Sequence, residues 1–241
     1  VSVPFAIPMV SFFGRTFDEY MQMFALHEAA LRGLQVLDCP SGPDSFVAVA
    51  NARGLQVTGC DPLFGGGADE LHARAKANIE ATFDALARAT NPFTFRDPAK
   101  FRQDKFDALD TFVADYRTHG ATRYVHAALP ALPFADRSYD LVLSSHFLFC
   151  YASVEDGGML DHAEFDLGFH LKSIRELTRV ARREVRMTPT HAMHLPPRHH
   201  PYLEAAMHEF RALGFDARLE PSTYDDGFAP LVEVLVATRR A

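Results

Sequence analysis

The sequence predicts an α/β fold: a doubly wound sheet of about seven strands, mostly parallel with an antiparallel last strand, and helices on both faces. Three observations carry that expectation. Two apolar runs, Leu34 to Asp38 and Gln56 to Cys60, each lead through a turn into a helical stretch, the β-then-α alternation of parallel sheets. An acid stands at the tip of each run, Asp38 and Asp61, 23 residues apart, where ligands bind beyond the carboxyl ends of strands in open α/β sheets. The chain closes with two strand-like stretches, Phe215 to Glu220 and Leu231 to Thr238, joined by a Gly/Asp/Pro-rich connection that suits an antiparallel pair.

With 241 residues and 48% hydrophobic content, the chain is long enough for one large α/β domain, and a single domain over 1–241 is expected. A net charge of −7 supplies no basic field to hold a phosphate backbone, so small molecules rather than nucleic acid are the expected partners. Cys39, Cys60 and Cys150 show no paired-motif spacing and fall in or beside strand-like stretches, which suggests reduced thiols in a cytoplasmic protein. Charges interrupt every apolar run well before a membrane-spanning length, and the N-terminus lacks signal-peptide order, so no membrane association is expected. A monomer or a homodimer is expected.

Taken in order, residues 1–15 form an apolar, aromatic arm in which Pro4 and Pro8 oppose helix. Thr16 reads as the N-cap of a helix running to about Leu31, with Asp18 and Glu19 at the positive end of its dipole and Gly33 past its end; arm and helix together occupy 1–33. The first strand, Leu34 to Asp38, precedes a helix from Pro43 to Arg53, and the second, Gln56 to Cys60, precedes a Gly65-Gly66-Gly67 turn and a helix over roughly 69–89. Residues 90–105 break the pattern with two prolines and several phenylalanines, and a helix follows over about 104–118. The 90–120 segment reads as a helical insertion and a candidate lid. Thr122 to His126 and Asp140 to Ser145 are the third and fourth strands, the latter apolar on both faces as in a central parallel strand. A helix over Glu164 to Val180, a strand over Glu184 to Thr188, a Pro- and His-rich loop over 189–200 and a helix from Pro201 to near Gly214 lead to the closing strands.

Three stretches carry a resemblance. Val36-Leu37-Asp38-Cys39-Pro40-Ser41-Gly42-Pro43 is similar to the first motif of class I S-adenosylmethionine-dependent methyltransferases. Val57-Thr58-Gly59-Cys60-Asp61-Pro62 resembles the acidic end of that family's second strand. Leu132-Pro133-Phe134-Ala135-Asp136-Arg137-Ser138-Tyr139-Asp140-Leu141-Val142 resembles the run that leads into its fourth strand. The resemblance covers residues 34 to 188 and implies a Rossmann-like fold, S-adenosylmethionine as cofactor with S-adenosylhomocysteine as product, and a small-molecule acceptor with an O, N or C nucleophile. It also implies roles. Asp38 would orient the methionine amino group, directly or through water, the Cys39, Pro40, Ser41 and Gly42 backbone would wrap the amino-acid part, and Asp61, followed by Pro62, would accept from both ribose hydroxyls. Ala128 stands where the family often has an acid, which leaves adenine to the backbone near Leu129 and to apolar packing. Ser144 would sit beside the sulfonium. Arg15 and Tyr20, from the N-terminal segment, are expected to close over the cofactor.

His146 follows the fourth strand, where the acceptor is expected, and a neutral imidazole there could take a proton from a hydroxyl or amine. Phe147, Tyr151, His191 and His194 are the candidate acceptor contacts. The cluster His191, His194, His199 and His200 matches no standard zinc spacing, and Pro196-Pro197 break any helix that could align it, so no metal is expected. Two other readings accompany the methyltransferase one. A nicotinamide-dependent oxidoreductase needs a glycine-rich pyrophosphate cradle, and Pro40 and Asp44 stand where two of its glycines belong. A non-catalytic binding protein on the same fold is compatible with the altered first motif and with Ala128.

Overall fold

The computed structural model describes residues 5–89 and 95–240. Its strands are β1 (Gln35–Asp38), β2 (Gln56–Asp61), β3 (Tyr124–His126), β4 (Tyr139–Ser145), β5 (Ala181–Thr188), β6 (Phe215–Pro221) and β7 (Glu233–Arg239). They lie in the order β3-β2-β1-β4-β5-β7-β6, with β7 antiparallel to both of its neighbours and the remaining strands parallel to one another. The chain reverses its direction of winding between β1 and β4, so a crevice opens beyond their carboxyl ends.

Strand periodicity divides the core. Val36, Val57, Leu141, Leu143, Val234 and Val236 face one side of the sheet. Leu37, Val142, Val185, Leu235 and Ala237 face the other. On the first side lie α1 (Phe17–Met23), α3 (Phe46–Ala52), α4 (Ala68–Arg88) and α5 (Pro98–Arg123), through Phe17, Phe46, Leu71, Ile79, Leu109 and Phe112. On the second lie α6 (Leu167–Val180) and α7 (Leu203–Ala212), through Ile174, Leu177, Ala206 and Phe210. The doubly wound, Rossmann-like architecture is the one expected. Among the described residues no helix is long and apolar enough to cross a membrane.

Several boundaries differ from expectation, each for a local reason. The first helix stops at Met23, and a separate turn of helix, α2 (Glu28–Leu31), follows. Ala25 takes φ +49° and Leu26 N–H returns to the Met21 carbonyl at 2.8 Å, a hydrogen-bonded stop made without glycine. Pro43 does not open α3. Asp44 Oδ1 accepts the N–H groups of Phe46 (2.6 Å) and Val47 (3.3 Å), and this cap sets the start. The helix expected at about 104 begins at Pro98, because Asp97 caps it through Lys100 N–H (2.9 Å) with proline in the first turn. Residues 90–94 of the expected insertion lie outside the described residues.

The arm ends in a close crossing over the loop after β1. A Cβ on Gly14 would stand 2.1 Å from the Pro43 carbonyl oxygen, a backbone atom with nowhere to move. Next to it, the Arg15 carbonyl accepts the Ser45 N–H at 2.9 Å. Gly14→Ala is therefore expected to cost about 2 kcal/mol or more, a fall in Tm of roughly 4–8 °C for a chain of this size. A thermal melt that matches wild type would show that the arm does not cross there.

Candidate functional site

A cavity of 390 Å³ occupies the crevice. Its floor is the loop after β1, where Cys39, Pro40, Ser41 and Gly42 reach the wall, and beside it Asp61 and Pro62 at the tip of β2. The loop is held by its own amides: Ser41 N–H donates to the Cys60 carbonyl (2.9 Å), and Gly42 N–H donates to Asp61 Oδ2 (3.0 Å). Gly42 takes φ +64° to do so, a conformation natural to glycine. The other Asp61 oxygen accepts Leu63 N–H at 2.9 Å, so each carboxylate oxygen is fixed by one donor and retains acceptor capacity. Burial pushes the Asp61 carboxyl up to about 6, against the two amide donors.

The amides that would cradle a pyrophosphate are already engaged. Ser41 and Gly42 bond within the sheet end, Ser45 bonds Arg15, and Phe46 and Val47 bond Asp44. Beside the loop, Asp61 puts a carboxylate on the cavity wall. A dinucleotide phosphate would meet acceptors instead of donors there, which argues against the nicotinamide reading.

Asp38 is not where the motif led us to expect it. Its carboxyl is fully enclosed and does not reach the cavity wall. Tyr20 covers it, its hydroxyl 3.0 and 3.2 Å from the two Asp38 oxygens and 3.3 Å from Asp44 Oδ2. Ser41 Oγ–H donates to Asp44 Oδ2 at 2.7 Å. Burial first, and the facing Asp44 charge second, push the Asp38 carboxyl well above its ordinary range; burial alone takes Asp44 up to about 6. Two buried carboxyl groups in contact share a proton, and here it resides on Asp38. Tyr20, stacked on Phe46 at 4.6 Å between centroids, presents its own edge to the cavity in place of the acid.

The N-terminal arm is the roof. Arg15 lines the cavity, its Nε donating to the Tyr224 hydroxyl (3.3 Å), which in turn donates to Glu19 (3.1 Å). Glu19 also forms a buried ion pair with Lys105 of α5. Burial pulls the Lys105 ammonium down to about 8 against that pairing. Arg15 forms no ion pair with a carboxylate among the described residues.

At the tip of β4, Ser144 and Ser145 part company. Ser145 faces the cavity, whereas Ser144 is buried with its Oγ unpartnered and lies off the wall, because successive strand residues point to opposite faces. Of the two serines it is Ser145, and not the expected Ser144, that lines the cavity. His146 follows at φ +46°, a left-handed conformation uncommon outside glycine that turns its ring into the cavity. Its Nδ1 lies 3.1 Å from Ser145 Oγ, and the same hydroxyl lies 3.5 Å from Met23 Sδ; with that proton on the sulfur side, Nδ1 carries the ring proton and Nε2 the lone pair. Burial first, then the Arg15, His191 and Lys105 charges, hold the ring neutral, well below the usual imidazole range.

Phe147, Tyr151 and His191 reach the wall beyond His146, as do Ala128 and Leu129 on the β3 side. His194 does not: it turns away to the Val154 carbonyl (3.2 Å). The histidine cluster disperses, with His199 on Glu233 (2.8 Å) and His200 stacked on Phe149, and among the described residues no group of three or more His, Cys, Asp or Glu could hold a metal ion. The β6–β7 connection adds wall residues that sequence reasoning passed over: Tyr224, Asp226, whose Oδ2 lies 2.7 Å from His191 Nε2, and Phe228, stacked on His191 at 4.2 Å. The only local signal there was a connection rich in turn residues. Lys105 was also missed, although it shares a helical face with Leu109 and Phe112 and so occupies a core position.

No protein-family model matches the chain. A curated relative, an uncharacterized protein of Methanocaldococcus jannaschii, is 27% identical over 216 residues, 88% of this chain and 89% of that protein. Among solved structures, a magnesium protoporphyrin IX methyltransferase from Synechocystis with bound S-adenosylmethionine is 17% identical, with a TM-score of 0.48 over 93% of this chain and 78% of that one. A 1,6-didemethyltoxoflavin-N1-methyltransferase from Burkholderia thailandensis, bound to 1,6-didemethyltoxoflavin and S-adenosylhomocysteine, is 11% identical, with a TM-score of 0.45 over 89% of this chain and 76% of that one.

The shared proton at the loop has a thermodynamic signature. Asp44 ionises near the ordinary aspartate value of 3.8 in the unfolded chain and near 6 in the folded one. Between those values the native state binds more protons, so this group's contribution to stability is full below about pH 4 and is lost as pH rises to about 6. Asp44→Asn keeps the acceptor for Phe46 and Val47 and removes the titration. Its unfolding free energy should fall less than that of wild type between pH 4 and 6, by on the order of 2 kcal/mol, read from denaturant melts across that range. Parallel pH profiles would count against the buried pair.

Proposed function

We propose that the protein is an S-adenosylmethionine-dependent methyltransferase acting on a small-molecule nucleophile. The observation that carries the reading is Asp61: a carboxylate at the tip of β2, on the cavity wall, with one amide fixed to each oxygen and room to accept two further hydrogen bonds. That is the donor-acceptor complement of a ribose with vicinal hydroxyls. The strand order, with an antiparallel β7 between β5 and β6, agrees with the family that the motifs resemble. The engaged loop amides and the Asp61 carboxylate suit a cofactor without phosphates.

The residues present fit such a group end to end. The Cys39 to Gly42 backbone and Ser145 would flank its amino-acid part, and Arg15, a cavity cation without an ion pair to a carboxylate among the described residues, would meet its carboxylate. Tyr20 closes the same end in front of Asp38. Pro62, Ala128 and Leu129 would pack the flat base. The bound cofactor would supply an electrophilic methyl group. His146 and the walls beyond it, with Phe147, Tyr151 and His191, would then hold the nucleophile in line and receive its proton. We place the reaction in a single-domain, cytoplasmic protein with the helical segment after α4 beside the cavity.

Isothermal calorimetry with S-adenosylhomocysteine tests the reading; no heat at millimolar ligand would end it. Asp61→Ala should weaken binding by roughly 10- to 100-fold, the worth of hydrogen bonds to a charged group. Because burial raises the Asp61 carboxyl to about 6, affinity should decline as pH falls through 6 and the acid takes up its proton. Asp61→Asn should bind weakly with no such decline, and an equally steep pH profile in that variant would remove the ribose assignment.

A further inference from the structure

The topology separates two ends of the cavity. The β1, β2 and β3 tips, with Ser145 of β4 and Arg15 and Tyr20 from the N-terminal segment, hold the residues assigned above to the cofactor. The β4 and β5 tips, together with the β6–β7 connection, bound the rest. At this second end the polar side chains are nearly all engaged with one another. The Tyr151 hydroxyl accepts Ser11 N–H (3.0 Å) and donates to the Ser11 carbonyl (3.2 Å). The Tyr224 hydroxyl lies between Arg15 and Glu19. His191 faces Asp226 with one nitrogen and the Ala192 carbonyl (3.0 Å) with the other. Asp226 Oδ1 accepts Phe228 N–H at 3.0 Å. Among the described residues lining the cavity, His146 Nε2 is the histidine nitrogen left without a hydrogen-bond partner.

The surrounding wall is aromatic and comes from separate elements. Phe147 meets Phe165 and Phe169 edge to face, at 5.3 and 6.0 Å between centroids, and Phe228 lies flat on His191. The carboxylates near this end already have partners: Asp226 has His191, and Glu164 at the rim has His162. A cationic amine would find these carboxylates already hydrogen-bonded to histidines, and an anionic acceptor would compete with the cofactor's carboxylate for Arg15.

Building on the methyltransferase reading, we propose that the acceptor is an uncharged, flat aromatic or heteroaromatic molecule with one weakly acidic O–H, hydrogen-bonded to His146 Nε2 and packed against the Phe147 and Phe228 walls. Aromatic walls reward a planar guest through stacking and edge contacts, and one open acceptor nitrogen selects one donor. In the transfer, the acceptor oxygen forms a bond to the methyl carbon as the carbon–sulfur bond breaks, and sulfur keeps that electron pair. The hydroxyl proton passes to Nε2, giving an imidazolium that returns it to solvent. Arg15 and Lys105, whose charges add to burial in holding His146 neutral, also favour the negative charge that develops on the acceptor oxygen.

The test is calorimetry on the protein saturated with S-adenosylhomocysteine, using four probes of similar size: 2-naphthol, 2-naphthoate, a saturated decalol and 2-phenylethylamine. The proposal expects 2-naphthol to bind at least tenfold more tightly than each of the other three. It also expects His146→Asn, a residue that tolerates the left-handed backbone, to weaken 2-naphthol by about fivefold or more. S-adenosylhomocysteine binding, measured on the same samples, reports that each variant is folded. With S-adenosylmethionine, formation of 2-methoxynaphthalene by the wild type would support the step directly. Preference for the anion, the amine or the saturated alcohol, or a His146→Asn variant that binds 2-naphthol like wild type, would overturn this inference while leaving the cofactor reading intact. Failure of S-adenosylhomocysteine to bind the wild-type protein would overturn both.

Discussion

The hydrogen bond from Gly42 N–H to Asp61 Oδ2 ties the loop after β1 to the tip of β2, and most of the site follows from it. It holds Gly42 in a left-handed turn and orients the Asp61 carboxylate along the cavity wall. Together with the Ser41 bond to Cys60, it also turns the loop amides inward. A loop whose amides point at its own sheet can wrap a ligand by shape and carbonyl contact, but it cannot serve as an anion nest. The same bond thus positions the acid that suits a ribose and removes the donors that a phosphate would need.

Behind the loop, Asp44 replaces conformational freedom with a polar network. Its one oxygen caps α3, and its other receives Ser41 and lies within reach of Tyr20. Asp38 completes the network by holding the proton that two adjacent buried carboxyl groups must share. A glycine-rich loop gains its shape from permissive backbone; this one is shaped by side-chain hydrogen bonds reaching from α1, β1 and α3. Each member touches at least two others, which is why Asp38 is drawn away from the cavity and Tyr20 takes its place on the wall.

The strands were legible because buried parallel strands are short apolar runs, and the acids Asp38 and Asp61 punctuated two of them. The breaks were less legible. Nothing in the composition around Ala25 announces a helix stop, because a backbone hydrogen bond makes it, whereas Asp97-Pro98 was an ordinary start signal hidden by the aromatic residues around it. At the site, Asp61, Arg15 and His146 were readable from their places at strand ends or in the arm. The choice between Ser144 and Ser145 depended on which face of β4 each residue takes, and a one-residue shift exchanges them. Tyr224 and Asp226 meet His146 and His191 only through the tertiary fold, so no local pattern in the sequence could connect them.

The arm converts this crevice into an enclosed site, and its attachments explain how. Gly14 crosses Pro43 within contact distance, Phe12 N–H donates to Asn78 Oδ1 (2.8 Å) on α4, Ser11 exchanges two hydrogen bonds with Tyr151, and Ile7 N–H reaches the Met159 carbonyl (2.8 Å). These points fall in turn on the cofactor loop, on the helix after β2 and on the segment after β4, so one extended strip spans both ends of the cavity. Water excluded by such a roof strengthens every charge interaction beneath it. That low-dielectric setting is what lifts Asp61 and keeps His146 neutral. Asp61 and His146 thus line one cavity beneath the same strip of backbone, although neither is bonded to it.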